Sequence, residues 1–126
     1  MVKLIDRIDA ELRVGGIHFE YKNGKIIIPL PNSFDALVVE IWREEEDSIT
    51  LMNGDFHTHG DILAREYDLE SSEKAIRFLV ESIFNGKFKM VKLYSDNGSF
   101  ENTIWDSYAL LDIDEYDNYE IVSEKQ

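Results

Sequence analysis

The sequence predicts the α+β class: one domain, residues 1–126, built on a mainly antiparallel sheet with two helices packed on it. Three observations carry this. Apolar residues recur at helical spacing in two stretches, about 2–13 and 71–85. The segments between and after them are rich in β-branched and aromatic residues, and Asn-Gly pairs sit where hairpins would turn. The order helix, strands, helix, strands then implies an antiparallel sheet with its helices on one side.

Taken in order, Leu4, Ile8 and Leu12, with Ile5 beside them, form the stripe of the first helix, and Gly15-Gly16 stops it. "IHFEYKNGKIII" is a hairpin about Asn23-Gly24, ended by Pro29 and Pro31. "DALVVEIWR" places Leu37, Val39 and Ile41 on one face and Val38, Glu40 and Trp42 on the other, the pattern of a central, covered strand. The run Glu44 to Asp47 makes a turn, and "SITLM" returns as a strand. Asn53-Gly54 marks a turn or bulge before "DFHTH" continues extended. "DLESSEKAIRFLVESIFNGK" is the second helix, capped by Ser71 or Ser72, striped by Ala75, Ile76, Leu79, Val80 and Ile83, and closed by Gly86. "FKMVKLYS" and "SFENTIWDSYALLD" flank Asn97-Gly98 as a further hairpin, and "NYEIV" is the last strand.

Composition bounds the function. A chain of 126 residues with 44% hydrophobic and 12% aromatic side chains can bury a core and fold without staples. With no cysteine it forms no disulfide, thiolate nucleophile or sulfur-ligated zinc site, which suits a reducing cytoplasm. No run approaches the eighteen or so apolar residues of a membrane span, so the expectation is a cytoplasmic chain. Twenty-six acids against thirteen bases leave −13. Eight of those acids and one base fall in residues 101–126, so that segment carries −7 and the first hundred residues −6. Such a field repels nucleic acid and anionic membranes and speeds the approach of a cationic protein.

The densest chemistry lies in "GDFHTHGDIL". Period two puts His57 and His59 on one strand face, with Asp55 and Asp61 aligned if the strand runs that far. Two neutral imidazoles and an aspartate could hold a divalent metal with a water in the fourth position, so His57, His59 and Asp61 are the candidate ligands of a metal-dependent hydrolase. Asp55-x-His57-x-His59 resembles the amidohydrolase and polymerase-histidinol phosphatase barrels, for which the chain is too short. His57-x-His59-x-Asp61 resembles the metallo-β-lactamase motif, but Ile62 stands where that family has a histidine. Gly54, His57, Thr58 and His59 resemble the JAMM metalloprotease motif, with Gly60 in place of its proline and no Ser-x-x-Asp following. Under that resemblance Glu70 would supply the missing carboxylate, Glu40 the general base and His18 a further nitrogen. The alternative is that the pair are polar residues of a half-exposed strand. Ser71-x-x-Lys74 reads as a helix cap with a solvated lysine, and no phosphate loop or nucleophile elbow is present. Trp42, Trp105, Tyr94, Tyr108, Tyr116 and Tyr119 are candidates for a binding platform or for core.

Residues 36–111, above all Gly54-Asp55-Phe56-His57-Thr58-His59 followed by Asp61 and a single helix, resemble small bacterial immunity proteins of polymorphic toxin systems. The resemblance implies a non-enzymatic protein without cofactor that covers a toxin's active site or substrate groove. Charge points the same way, because clustered carboxylates can occupy a basic groove as phosphate mimics. Asp112, Asp114, Glu115, Tyr116, Asp117 and Tyr119, within a run of five carboxylates and two tyrosines, are the first candidate contact surface for a basic toxin domain. Glu44, Glu45, Glu46 and Asp47 are the second. A structural or scaffold role is the remaining expectation.

Overall fold

A computed structural model describes residues 3–30, 36–43, 46–52, 57–94, 100–106 and 119–121. Its order is α1 (Leu4–Val14), β1 (Glu20–Lys22), β2 (Lys25–Pro29), β3 (Ala36–Arg43), β4 (Glu46–Leu51), β5 (His57–Thr58), α2 (Gly60–Glu66), α3 (Ser72–Phe84), β6 (Phe88–Tyr94), β7 (Phe100–Asp106) and β8 (Tyr119–Ile121). The α+β class is as the sequence predicts. The strands divide into two antiparallel sheets, β1-β2-β3-β4-β5 and β7-β6-β8, and α2 is a third helix where the sequence predicts two, beginning directly after the stretch expected to be extended.

Local chemistry explains the boundaries. Both turn residues between β1 and β2 have positive φ, Asn23 at 54° and Gly24 at 78°, the geometry that matches a two-residue hairpin to strand twist. Helix α1 ends in a Schellman motif: Ile17 N–H donates to the Leu12 carbonyl at 2.9 Å and Gly16 N–H to that of Arg13 at 3.1 Å, with Gly16 at φ 69°. Helix α3 starts at a Ser71 cap, whose hydroxyl accepts from Lys74 N–H at 3.4 Å. That contact settles Ser71-x-x-Lys74 as a helix start.

The core lies between the helices and one face of the five-stranded sheet. Register aligns Ile26 with Val39 and Val39 with Ile49, then Ile28 with Leu37 and Leu37 with Leu51, and all six side chains are buried. Leu4, Ile8 and Leu12 of α1 and Ala75, Ile76, Leu79, Val80 and Ile83 of α3 join them in one cluster, which Leu63 of α2 completes. Phe88, at the start of β6, belongs to the same cluster and meets Tyr67 and Phe78 at ring-centroid distances of 5.8 and 5.9 Å. Ion pairs bind α1 to α3: Arg7 to Glu73 at 2.7 Å and Arg77 to Glu11 at 3.0 Å.

Strand β3 is central in its sheet and largely covered, as its apolar pattern requires: Leu37 and Val39 on the core face and Val38 on the other are all buried. Opposite the core, Glu40 faces Ser48 across the ladder and pairs with Lys25 at 3.3 Å. Among the described residues no helix is long and apolar enough to cross a membrane.

Candidate functional site

The histidine stretch is a corner where a sheet edge becomes a helix. Strand β5 pairs with β4 at only two positions, Ile49 with Thr58 and Thr50 with His57. Beyond that point β4 has lost its neighbour, and the Asp47 carbonyl would stand unpaired at the edge. The His59 ring takes the place of the missing strand, its Nδ1 lying 2.6 Å from that carbonyl oxygen. A carbonyl can only accept, so Nδ1 carries the proton and the neutral ring has its lone pair on Nε2.

The next residue closes the clamp. Gly60, the first residue of α2, donates its N–H to Asp47 Oδ2 at 2.8 Å. A helix N-terminus leaves such donors without intrahelical partners and favours negative charge, and here the carboxylate comes from a remote strand. Asp47 is 4% exposed. Burial pushes its carboxyl above the usual carboxylate range; the Gly60 bond works the other way, and the charge of nearby Asp61 adds to the rise. The corner also dictates glycine at 60, since a Cβ there would lie 2.9 Å from Asp47 Oδ1 and 2.9 Å from Ser72 Cβ.

On the outer side the two imidazoles sit edge to face, centroids 4.7 Å apart and planes at 87°. His57 is exposed, with Ser48 Oγ 3.5 Å from its Nδ1. His59 also meets the edge of Trp42 at 6.4 Å. Trp42 is the extra residue of a β-bulge, between the Ile41–Asp47 and Arg43–Glu46 pairs, and is 64% exposed. A bulge re-aims its side chain, which accounts for a tryptophan standing in solvent at the end of an otherwise buried strand.

The predicted site residues separate accordingly. His57 and His59 do share a face, but Asp61 does not join them: α2 begins at Gly60, and Asp61 lies in its first turn, 68% exposed and 3.8 Å from Arg65. The three-ligand set of the hydrolase reading is therefore not formed, and no group of three or more His, Cys, Asp or Glu suited to a metal occurs among the described residues. Glu40 is paired with Lys25, Glu70 is exposed before α3, and His18 lines a separate groove of about 540 Å³ with Ile17, Glu81 and Phe84. Asp47, expected in a solvent-facing acidic turn, is instead a buried strand residue committed to the corner, which removes it from the acidic patch. Glu46 opens β4 and is exposed, whereas Glu44 and Glu45 lie outside the described residues. So do Asp112, Asp114, Glu115, Tyr116 and Asp117; Tyr119 is placed by its backbone alone, opposite Leu93.

Comparison with family models, curated proteins and solved structures finds no match. Two of the site's residues were named from the sequence in other settings: Asp47 in a solvent-facing acidic patch, where its neighbours in a run of acids disguise it, and Trp42 as platform or core, where the strand's alternation assigns it to a covered face. Gly60 directly after the histidines, then Asp61 and Arg65 at helical spacing, was the available signal for the corner.

Proposed function

We propose that the chain is a non-enzymatic, acidic protein-binding protein of the cytoplasm, an immunity-type factor that occludes the basic groove of a toxin domain. The observation that carries this reading is Trp42, 64% exposed at a bulge and followed in the sequence by Glu44, Glu45 and Glu46. Exposed tryptophans are among the residues most enriched at interface hot spots. The net charge of −13 supplies the attraction to a cationic groove. Internal pairing supports it too, because Arg13, Lys25, Arg65 and Arg77 face Asp9, Glu40, Asp61 and Glu11 and so spend positive charge within the fold.

In this reading Trp42 is the anchor, and Glu44, Glu45 and Glu46, which follow it closely in the sequence, supply acidic contacts. Asp112, Asp114, Glu115, Tyr116, Asp117 and Tyr119 form the second contact surface. The test is binding to the C-terminal domain of the protein encoded immediately upstream, followed by stopped-flow mixing at low and high salt. Replacing Glu44, Glu45 and Glu46 by glutamine should slow association and flatten its salt dependence, and Trp42→Ala should speed dissociation at least about tenfold. An association rate indifferent to both charge and salt would remove the electrostatic mechanism, and full affinity in Trp42→Ala would remove the anchor.

A further inference from the structure

We propose that His57 and His59 form a two-imidazole chelate for one borderline divalent cation, Zn²⁺, Ni²⁺ or Cu²⁺, on the outer side of the corner. This site is independent of the partner reading and differs from the hydrolase site, because it uses two protein ligands and water, with no third side chain and no catalysis.

Three features converge on it. First, the Asp47 carbonyl fixes the proton on His59 Nδ1 and leaves Nε2 as the ligating atom. A backbone carbonyl on the far nitrogen is the arrangement that orients histidines at metal sites and raises their basicity. Second, Ser48 Oγ lies 3.5 Å from Nδ1 of His57, so the nitrogen left for a metal on the second ring is again Nε2. Third, the ring separation fits. With metal–nitrogen bonds of about 2.0–2.1 Å, the centroid of a ligating imidazole lies roughly 3.2 Å from the metal. Two such rings at angles of about 90–110° have centroids roughly 4.5–5.2 Å apart, and the observed 4.7 Å lies in that interval.

The chemistry selects the cation. Imidazole suits zinc, nickel and copper, while magnesium and calcium prefer carboxylate oxygen. In a chain of −13, loose cation binding by carboxylates must be separated from a true imidazole site, and His57 makes that separation possible. It is exposed and takes no part in the Asp47 clamp, so His57→Ala should keep the fold.

The experiment is calorimetric titration of the full chain with Zn²⁺, Ni²⁺, Cu²⁺ and Mg²⁺, for the wild type and His57→Ala. Trp42 fluorescence, read in a Trp105→Phe background, gives a second signal because the His59 ring lies 6.4 Å from the indole. Expected are one saturable site at micromolar metal, strongest for Cu²⁺, quenching of Trp42, no site for Mg²⁺, and at least about tenfold weaker binding in His57→Ala. Should Trp105→Phe fail to fold, the calorimetry decides alone. Equal binding in His57→Ala assigns the cation to carboxylates and overturns the proposal, as does absence of binding at millimolar metal, which leaves the pair as a bare edge-to-face contact.

Discussion

Replacing Gly60 by alanine tests the corner most directly, because two opposed effects of known size meet there. Alanine restricts the unfolded chain and favours the folded state by about 0.4–1 kcal/mol wherever its native conformation is unstrained. Against this, the new Cβ would meet Asp47 Oδ1 and Ser72 Cβ, each at 2.9 Å. Neither neighbour yields easily. Ser72 Cβ is fixed to the first residue of α3, and the Asp47 carboxylate is buried and held by the Gly60 N–H at 2.8 Å. Overpacking of this kind costs about 1–3 kcal/mol. Moving the carboxylate away also weakens a hydrogen bond to a charged group, worth roughly 1.5–3 kcal/mol when intact. The sum favours destabilisation by about 1–3 kcal/mol, or a melting point lower by on the order of 5–15 °C for a chain of this size.

Urea unfolding read by far-UV circular dichroism gives the free-energy difference, and calorimetry gives the melting shift. Combining Gly60→Ala with Asp47→Ala in a double-mutant cycle should show coupling of about 0.5–3 kcal/mol, since deleting the carboxylate relieves one of the two contacts. A Gly60→Ala variant as stable as the wild type, or more stable, would refute the close approach and with it the account of why this helix starts at glycine.

Other expectations follow from the same geometry. His59→Ala should cost about 1–2 kcal/mol by stripping the Asp47 carbonyl of its partner, whereas His57→Ala should stay within about 0.5 kcal/mol of the wild type, both by urea titration. At Glu73 burial alone would raise the carboxyl, but its backbone amide, the Ser71 hydroxyl and Arg7 outweigh burial and hold it below its ordinary value of 4.5. A depressed acid stabilises the fold above its unfolded value and loses that contribution as pH falls through the folded one. Stability should therefore drop less steeply below about pH 4.5 in Glu73→Gln than in the wild type, measured by urea midpoints across the acid range. Leu79→Ala, at a position 1% exposed, should cost about 2–5 kcal/mol without altering the denaturant slope.

What was legible in the sequence is what periodicity and turn chemistry encode. The stripe Leu4-Ile8-Leu12 and the stripe from Ala75 to Ile83 specify α1 and α3, because each buries a face several residues long. Asn23-Gly24 specifies its hairpin because few other pairs tolerate two positive φ angles. Helix α2 lacks such a signature. It has seven residues and buries only Gly60 and Leu63, too short a face to rise above the extended pattern that precedes it. The division into two sheets was equally hidden, since alternation reports which face a residue takes and not which strands share a ladder. At the site, the His57–His59 juxtaposition follows from period two. The role of Asp47 does not, because it depends on a contact thirteen residues away, across a change from strand to helix.

Charge placement shows how fold and proposed binding can coexist on so acidic a chain. Arg7, Lys74 and Arg77 reach Glu73 and Glu11 across the α1–α3 seam, where they offset acids that would otherwise repel between packed helices. Three of the thirteen basic residues are thereby held at this seam. On the connection that leaves α2, Glu66, Asp68 and Glu70 are exposed and have no ion pair among the described residues. Exposed carboxylates contribute little to stability, but their field is felt within about a Debye length of the surface, roughly 8–10 Å at physiological salt. If that field recruits a cationic partner, neutralising Glu66, Asp68 and Glu70 together should slow association without moving the urea midpoint. A lowered midpoint with an unchanged association rate would place these acids in the fold rather than in recognition.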